Sequence, residues 1–166
     1  LQPLFMTLVF TVFIGDSIIQ KTQLPIPYPL FALSGMLLWG IFSGGMSNAA
    51  NSMVSNANII KKIYFPRLII PISSILVALV DFFIAFIIFV ILLFIYKVEI
   101  NYSALAFLPL SILITCLSAM GCGTLLAALN IKYRDVRYII PFMVQGLLFL
   151  TPVLYPINIS SNPLAQ

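Results

Sequence analysis

Five apolar runs alternate with short polar segments along the chain, at about residues 1–14, 30–51, 68–96, 104–129 and 138–154. A bilayer core about 30 Å thick is crossed by roughly 20 helical residues, so the middle three runs are long enough to span it. Residues 1–14 fall short of that, as expected if a first span has lost its beginning. The polar intervals set the connections. Residues 15–29 hold Asp16, Lys21 and three alternating prolines, Pro25, Pro27 and Pro29, which favour an extended loop over a helix. Residues 51–67 form the longest polar island. Pro66 donates no backbone hydrogen bond and pushes Phe65 out of helical geometry, so a short helix ahead of it should break there before the next span begins. Ile59, Ile60, Ile63 and Tyr64 recur at helical spacing in that helix, with Lys61, Lys62 and Arg67 beside them. Residues 97–102 read as a tight polar turn, and 130–137 as a second polar island.

Within the second run Gly40, Gly44, Ser47, Asn51 and Ser55 fall three or four residues apart and share one helical face. Gly40-Ile-Phe-Ser-Gly44 has the small-xxx-small spacing that lets helices approach closely in lipid, and the same face would also suit the wall of a polar conduit. Ser111, Thr115, Ser118 and Cys122 form a second such stripe, read as a packing face. Tyr28, Tyr64, Phe65, Tyr96, Tyr102, Tyr133, Tyr138 and Tyr155 lie near the run boundaries, where interfacial aromatics belong.

Composition agrees with this pattern: 62% of the 166 residues are hydrophobic and 7% charged, with mean hydropathy +1.16. The class is an all-α polytopic membrane protein, a single domain over residues 1–166. The net charge of +4 sits beside apolar runs rather than along one exposed face, which points to lipid headgroups and not nucleic acid. Lys61, Lys62, Arg67, Lys132, Arg134 and Arg137 would share one side of the membrane and Lys21 and Lys97 the other, so the positive-inside rule puts both islands in the cytoplasm. Asn101-Tyr-Ser103 and Asn158-Ile-Ser160 match a glycosylation pattern that is common by chance and carries no weight here. There is no His, no Gly-rich phosphate loop ending in Lys-Ser or Lys-Thr, and four carboxylates in all, so no metal site or nucleotide-hydrolysing centre can be assembled; Cys116 and Cys122 are read as small packing residues. Asp16, Glu99 and Asp135 lie in loops. Asp81 does not: 14 residues beyond Arg67, it sits roughly 21 Å into its span at 1.5 Å per residue. A carboxylate at that depth costs about 2.5–3.5 kcal/mol and should face protein or water, either tying helices together or serving a transport path.

The runs Asn58-Ile-Ile-Lys-Lys-Ile-Tyr-Phe-Pro-Arg67, Leu79-Val-Asp-Phe82, Leu129-Asn-Ile-Lys-Tyr-Arg-Asp-Val-Arg137 and Thr151-Pro-Val-Leu-Tyr-Pro156 occur in the order and spacing of one known family. The chain resembles the permease subunit of ABC-2-type polysaccharide exporters, which move O-antigen, capsule or teichoic acid chains, many of them lipid-linked, out of the bacterial cytoplasm. The resemblance implies an ABC-2-type transmembrane domain of six spans, five of them visible here, with an interfacial helix before the first. It also implies a homodimer in the bacterial inner membrane, gripping a separate cytoplasmic ATPase that binds the ATP, with no cofactor of its own. Residues 55–67 would be the coupling helix that docks on that ATPase, using Ile59, Ile60, Lys61, Lys62, Ile63, Tyr64 and Arg67. Lys132, Arg134, Asp135 and Arg137 would form the second cytoplasmic loop. Asp81, Gly40, Gly44, Ser47 and Asn51 are the intramembrane polar residues suited to a transport path.

Three other readings remain open at this point. An ABC-2-type permease for a drug or another lipid differs mainly in the wording of the islands. A membrane-embedded glycosyl or phosphoryl transferase acting on a lipid carrier would need acid, base or metal-binding groups gathered at one membrane face, and the carboxylates are few and scattered. A purely structural membrane subunit is the weakest of the three.

Overall fold

The computed structural model describes residues 5–7, 9, 11–12, 27–57, 69–98, 102–133, 135–151 and 153, with side chains from 106 onward in the third stretch of helix. Its elements are α1 (Tyr28–Ser55), α2 (Ile69–Ile95), α3 (Tyr102–Lys132) and α4 (Val136–Leu150); no strand occurs among the described residues. The first three are long and apolar enough to cross a membrane. The fifth apolar run forms a 15-residue helix, roughly 22 Å long at 1.5 Å per residue and shorter than the hydrocarbon core. Of the first run, residues 5–7, 9 and 11–12 are helical.

The helix limits follow the polar punctuation, with one correction. Pro29 was expected in an extended loop, yet α1 already begins at Tyr28 with proline in its first turn. A first-turn residue has no intrahelical acceptor for its N–H, so proline loses nothing there and brings a helical φ. The Pro27 carbonyl then accepts from the Leu30 and Phe31 amides at 3.0 and 3.3 Å. α2 ends in a paired set of bonds, Val98 N–H to the Leu93 carbonyl and Lys97 N–H to the Phe94 carbonyl, with Lys97 at φ 50. This is the Schellman arrangement, with a lysine at the left-handed position that glycine usually fills.

α1 is the central helix, packed against both α2 and α3. Its small and polar composition is tolerated because protein, not lipid, surrounds much of it; α2, far more apolar, turns Leu76, Val77, Val80, Phe83, Ile84 and Ile87 outward. On α2 the buried residues Pro71, Ile75, Ala78, Phe82 and Ala85 step by four and three, the spacing of a seam between near-parallel helices. Two clusters hold the bundle. Leu37, Ile41, Phe82 and Ala85 join α1 to α2, and Met46, Ala50, Leu126 and Ile140 join α1, α3 and α4.

Candidate functional site

A groove of about 540 Å³ opens between α1, α2 and α4, with Met6 also on its wall. Gly40, Ser43, Gly44, Ser47 and Asn48 line it from α1, Asp81 from α2, and Gln145 and Phe149 from α4. The arrangement follows from helical spacing: residues 40, 43, 44, 47 and 48 form one face, and Asp81 flanks the Ala78–Phe82–Ala85 seam where α2 meets it. Asp81 is the thirteenth of the 27 residues of α2, exposed in this chain, and among the described residues no hydrogen bond is made by its carboxylate. Ser43 donates to the Trp39 carbonyl at 2.7 Å; this satisfies its proton within the helix and leaves its oxygen able to accept. The groove therefore offers one carboxylate, two amides, hydroxyl oxygens and the Trp39 and Phe149 rings, a lining able to exchange hydrogen bonds with hydroxyl groups and to stack on an apolar sugar face.

Gly40, Gly44, Ser47 and Asp81, singled out from the sequence, thus meet at one groove. Asn51, grouped with them, does not line it. Its Nδ2 donates to the Ser47 carbonyl at 2.9 Å, and its Oδ1 accepts from Asn130 Nδ2 at 3.3 Å. Ser43, Asn48 and Gln145 were missed, although Ser43 shares the Gly40 stripe, Asn48 lies four residues after Gly44, and Gln145 is the lone amide of the fifth run.

The tightest contacts of α1 with α3 are made at Gly45 and Gly123 rather than at Gly44. A Cβ on Gly44 would meet Ala78 Cβ at an ordinary 3.9 Å, whereas one on Gly45 would come to 3.4 Å from Ala119 Cβ and one on Gly123 to 2.8 Å from Ala49 Cβ. Likewise the packing face of α3 is not the Ser111–Cys122 stripe. Ser118 and Cys122 are exposed, Ser111 and Thr115 bond back to their own helix, and the buried face runs one residue on, through Ala119, Gly123, Leu126, Ala127 and Asn130. Thr115 and Ser118 instead line a second groove with Ser34, Trp39 and Thr151.

Ile59, Ile60, Lys61, Lys62, Ile63, Tyr64 and Arg67 lie outside the described residues, as does Arg134. Of the second island, Lys132, Asp135 and Arg137 are exposed. Lys132 Nζ stands 5.3 Å from the centre of the Tyr133 ring, and Asp135 occupies the N-cap position of α4 without a side-chain capping bond, where its negative charge still favours the helix end.

The family model described as ABC-2 type transporter matches residues 1–164. The O-antigen export system permease protein RfbA of Klebsiella pneumoniae is 27% identical over 158 residues, covering 90% of this chain and 61% of that protein. A Myxococcus xanthus protein of the same description is 27% identical over 158 residues, covering 95% of this chain and 58% of its own length. The chain thus spans about three-fifths of the length of these curated relatives.

Proposed function

The chain belongs to the ABC-2 type transporter family, and from that premise we propose that it is the permease part of an ATP-driven exporter carrying a cell-surface polysaccharide, lipid-linked in its transported form, across the bacterial inner membrane. The observation that carries the reading is the groove at mid-helix level, where Asp81 of α2 and Gln145 of α4 line the same space as Ser47, Asn48 and the small residues of α1, beside Trp39. A polar-lined groove on an otherwise apolar bundle is where a hydroxyl-rich polymer would find partners. The names of the relatives support the substrate class. In this reading two permeases pair, a separate ATPase hydrolyses ATP, and the stretch 55–67 docks on that ATPase through Ile59, Ile60 and Ile63, with Lys61, Lys62 and Arg67 meeting acidic groups or lipid phosphates.

The test is made in the full-length permease co-expressed with its ATPase. Ile60→Asp should leave the permease inserted, yet remove co-purification of the ATPase and the surface polysaccharide. A docking helix acts through a few buried anchors, each worth about 2 kcal/mol or more, so one charge suffices. If ATPase binding and export persist, docking lies elsewhere; if loss of the permease alters drug resistance and leaves surface polysaccharide intact, the substrate class is wrong.

A further inference from the structure

Asn130 is 2% exposed and lies in the last turn of α3, two residues before Lys132. Its Nδ2 donates to the Ala50 carbonyl at 3.0 Å and to Asn51 Oδ1 at 3.3 Å, while Asn51 Nδ2 passes the chain on to the Ser47 carbonyl. A side chain this short reaches a neighbouring helix backbone only where the helices nearly touch. Gly123 provides that approach, since a Cβ there would stand 2.8 Å from Ala49 Cβ and 3.4 Å from the Met46 backbone. With Asn130 buried in this seam, the alternative to the bond is an unpaired amide, so α1 and α3 resist sliding past one another. The same block includes the start of α4, because Ile140 packs with Met46, Ala50 and Leu126.

We infer that Asn130 is a positioning residue for coupling: its tie to Ala50 and Asn51 makes the end of α1, which leads into the docking stretch, and the end of α3, which leads into the second island, move as one body. The inference rests on the reading of 55–67 as the ATPase-docking stretch. α1 continues from Ala50 to its last residue, Ser55, where the docking stretch begins, and α3 reaches Lys132 of the second island two residues beyond Asn130. A displacement entering at the first island therefore reaches α3, the second island and α4 through the seam, instead of being absorbed by α1 slipping. Asn130 touches neither nucleotide nor polymer in this scheme. Its effect is on how much transport each hydrolysed ATP yields.

The experiment uses the full-length permease with its ATPase in cells and proteoliposomes. Asn130→Leu keeps the bulk and removes both donors. Its membrane level and ATPase co-purification should match the parent, while polymer exported per ATP hydrolysed falls roughly tenfold, within the usual span of coupling effects. Asn51→Cys with Asn130→Cys, in a background where Cys116 and Cys122 are serine, should be equally uncoupled when reduced and regain coupling when bridged by a short bifunctional thiol reagent. If Asn130→Leu fails to accumulate, the reduced and bridged states of this pair decide the matter. Parental yield per ATP from Asn130→Leu or from the reduced pair overturns the inference alone, provided Ile60→Asp still blocks ATPase binding. If Ile60→Asp is harmless while Asn130→Leu is not, the docking reading falls and the coupling role of the tie falls with it.

Discussion

Gly123→Ala puts the helix seam to the most direct test. The added Cβ would lie 2.8 Å from Ala49 Cβ and 3.4 Å from both the Met46 Cα and its carbonyl oxygen. None of these atoms is the free end of a flexible side chain. Methyl carbons rest about 3.5–4.0 Å apart, so α1 and α3 must separate by roughly 1 Å at this level. Overpacking of this kind costs about 1–3 kcal/mol, against a gain of at most ~1 kcal/mol from the better helix propensity of alanine. Gly121→Ala is the matched control, two residues away on the same helix with nothing within 4 Å of the new Cβ. It has the propensity gain without the clash, so the two variants should differ by about 2 kcal/mol, or roughly 4–8 °C in melting temperature for a chain of this size. Thermal unfolding of detergent-solubilised protein, followed by size-exclusion chromatography of a fluorescent fusion, reads the difference. Should the two variants melt together, the α1–α3 approach is not centred on Gly123, and the reach of Asn130 to Ala50 loses its basis.

Lys97→Gly should raise the melting temperature, because Lys97 holds φ 50 at the end of α2, a left-handed conformation that costs a side-chain-bearing residue about 1 kcal/mol or more; an unchanged or lowered value counts against that turn. Asp81→Asn and Asp81→Leu should both accumulate at parental levels, since among the described residues the carboxylate ties no helices together, and both should lower export if charge in the groove matters to transport. Loss of Asp81→Leu from the membrane would show instead that the carboxylate is structural. Single cysteines replacing Lys97 and Lys132 should differ in access: the first labelled by an impermeant thiol reagent in intact spheroplasts, the second only after the membrane is opened. Labelling of the second from outside would invert the orientation drawn from the basic residues.

The helices themselves were legible in the sequence. Runs expected at 30–51, 68–96 and 104–129 became Tyr28–Ser55, Ile69–Ile95 and Tyr102–Lys132, because a span must be continuously apolar and its ends must meet water, so polar islands mark the limits directly. The stripe through Gly40, Gly44 and Ser47 was legible for the same reason, being set by helical geometry alone. Which stripe packs and which stays open was not. Gly40 and Gly44 face the groove while Gly45 and Ala49 take the close contacts with Ala119 and Gly123, and α3 buries the face beside its serine and threonine stripe. In water the apolar side of a helix announces itself. In lipid both sides are apolar, and small residues suit close packing on any of them, so only the arrival of a second helix selects the face. Asn130 shows the limit most plainly: from the chain it is the first residue of a polar island, and its partners Ala50 and Asn51 stand about 80 positions earlier. No spacing rule links residues so far apart; the backbone approach at Gly123, a property of the folded bundle, brings the donor and its acceptors together.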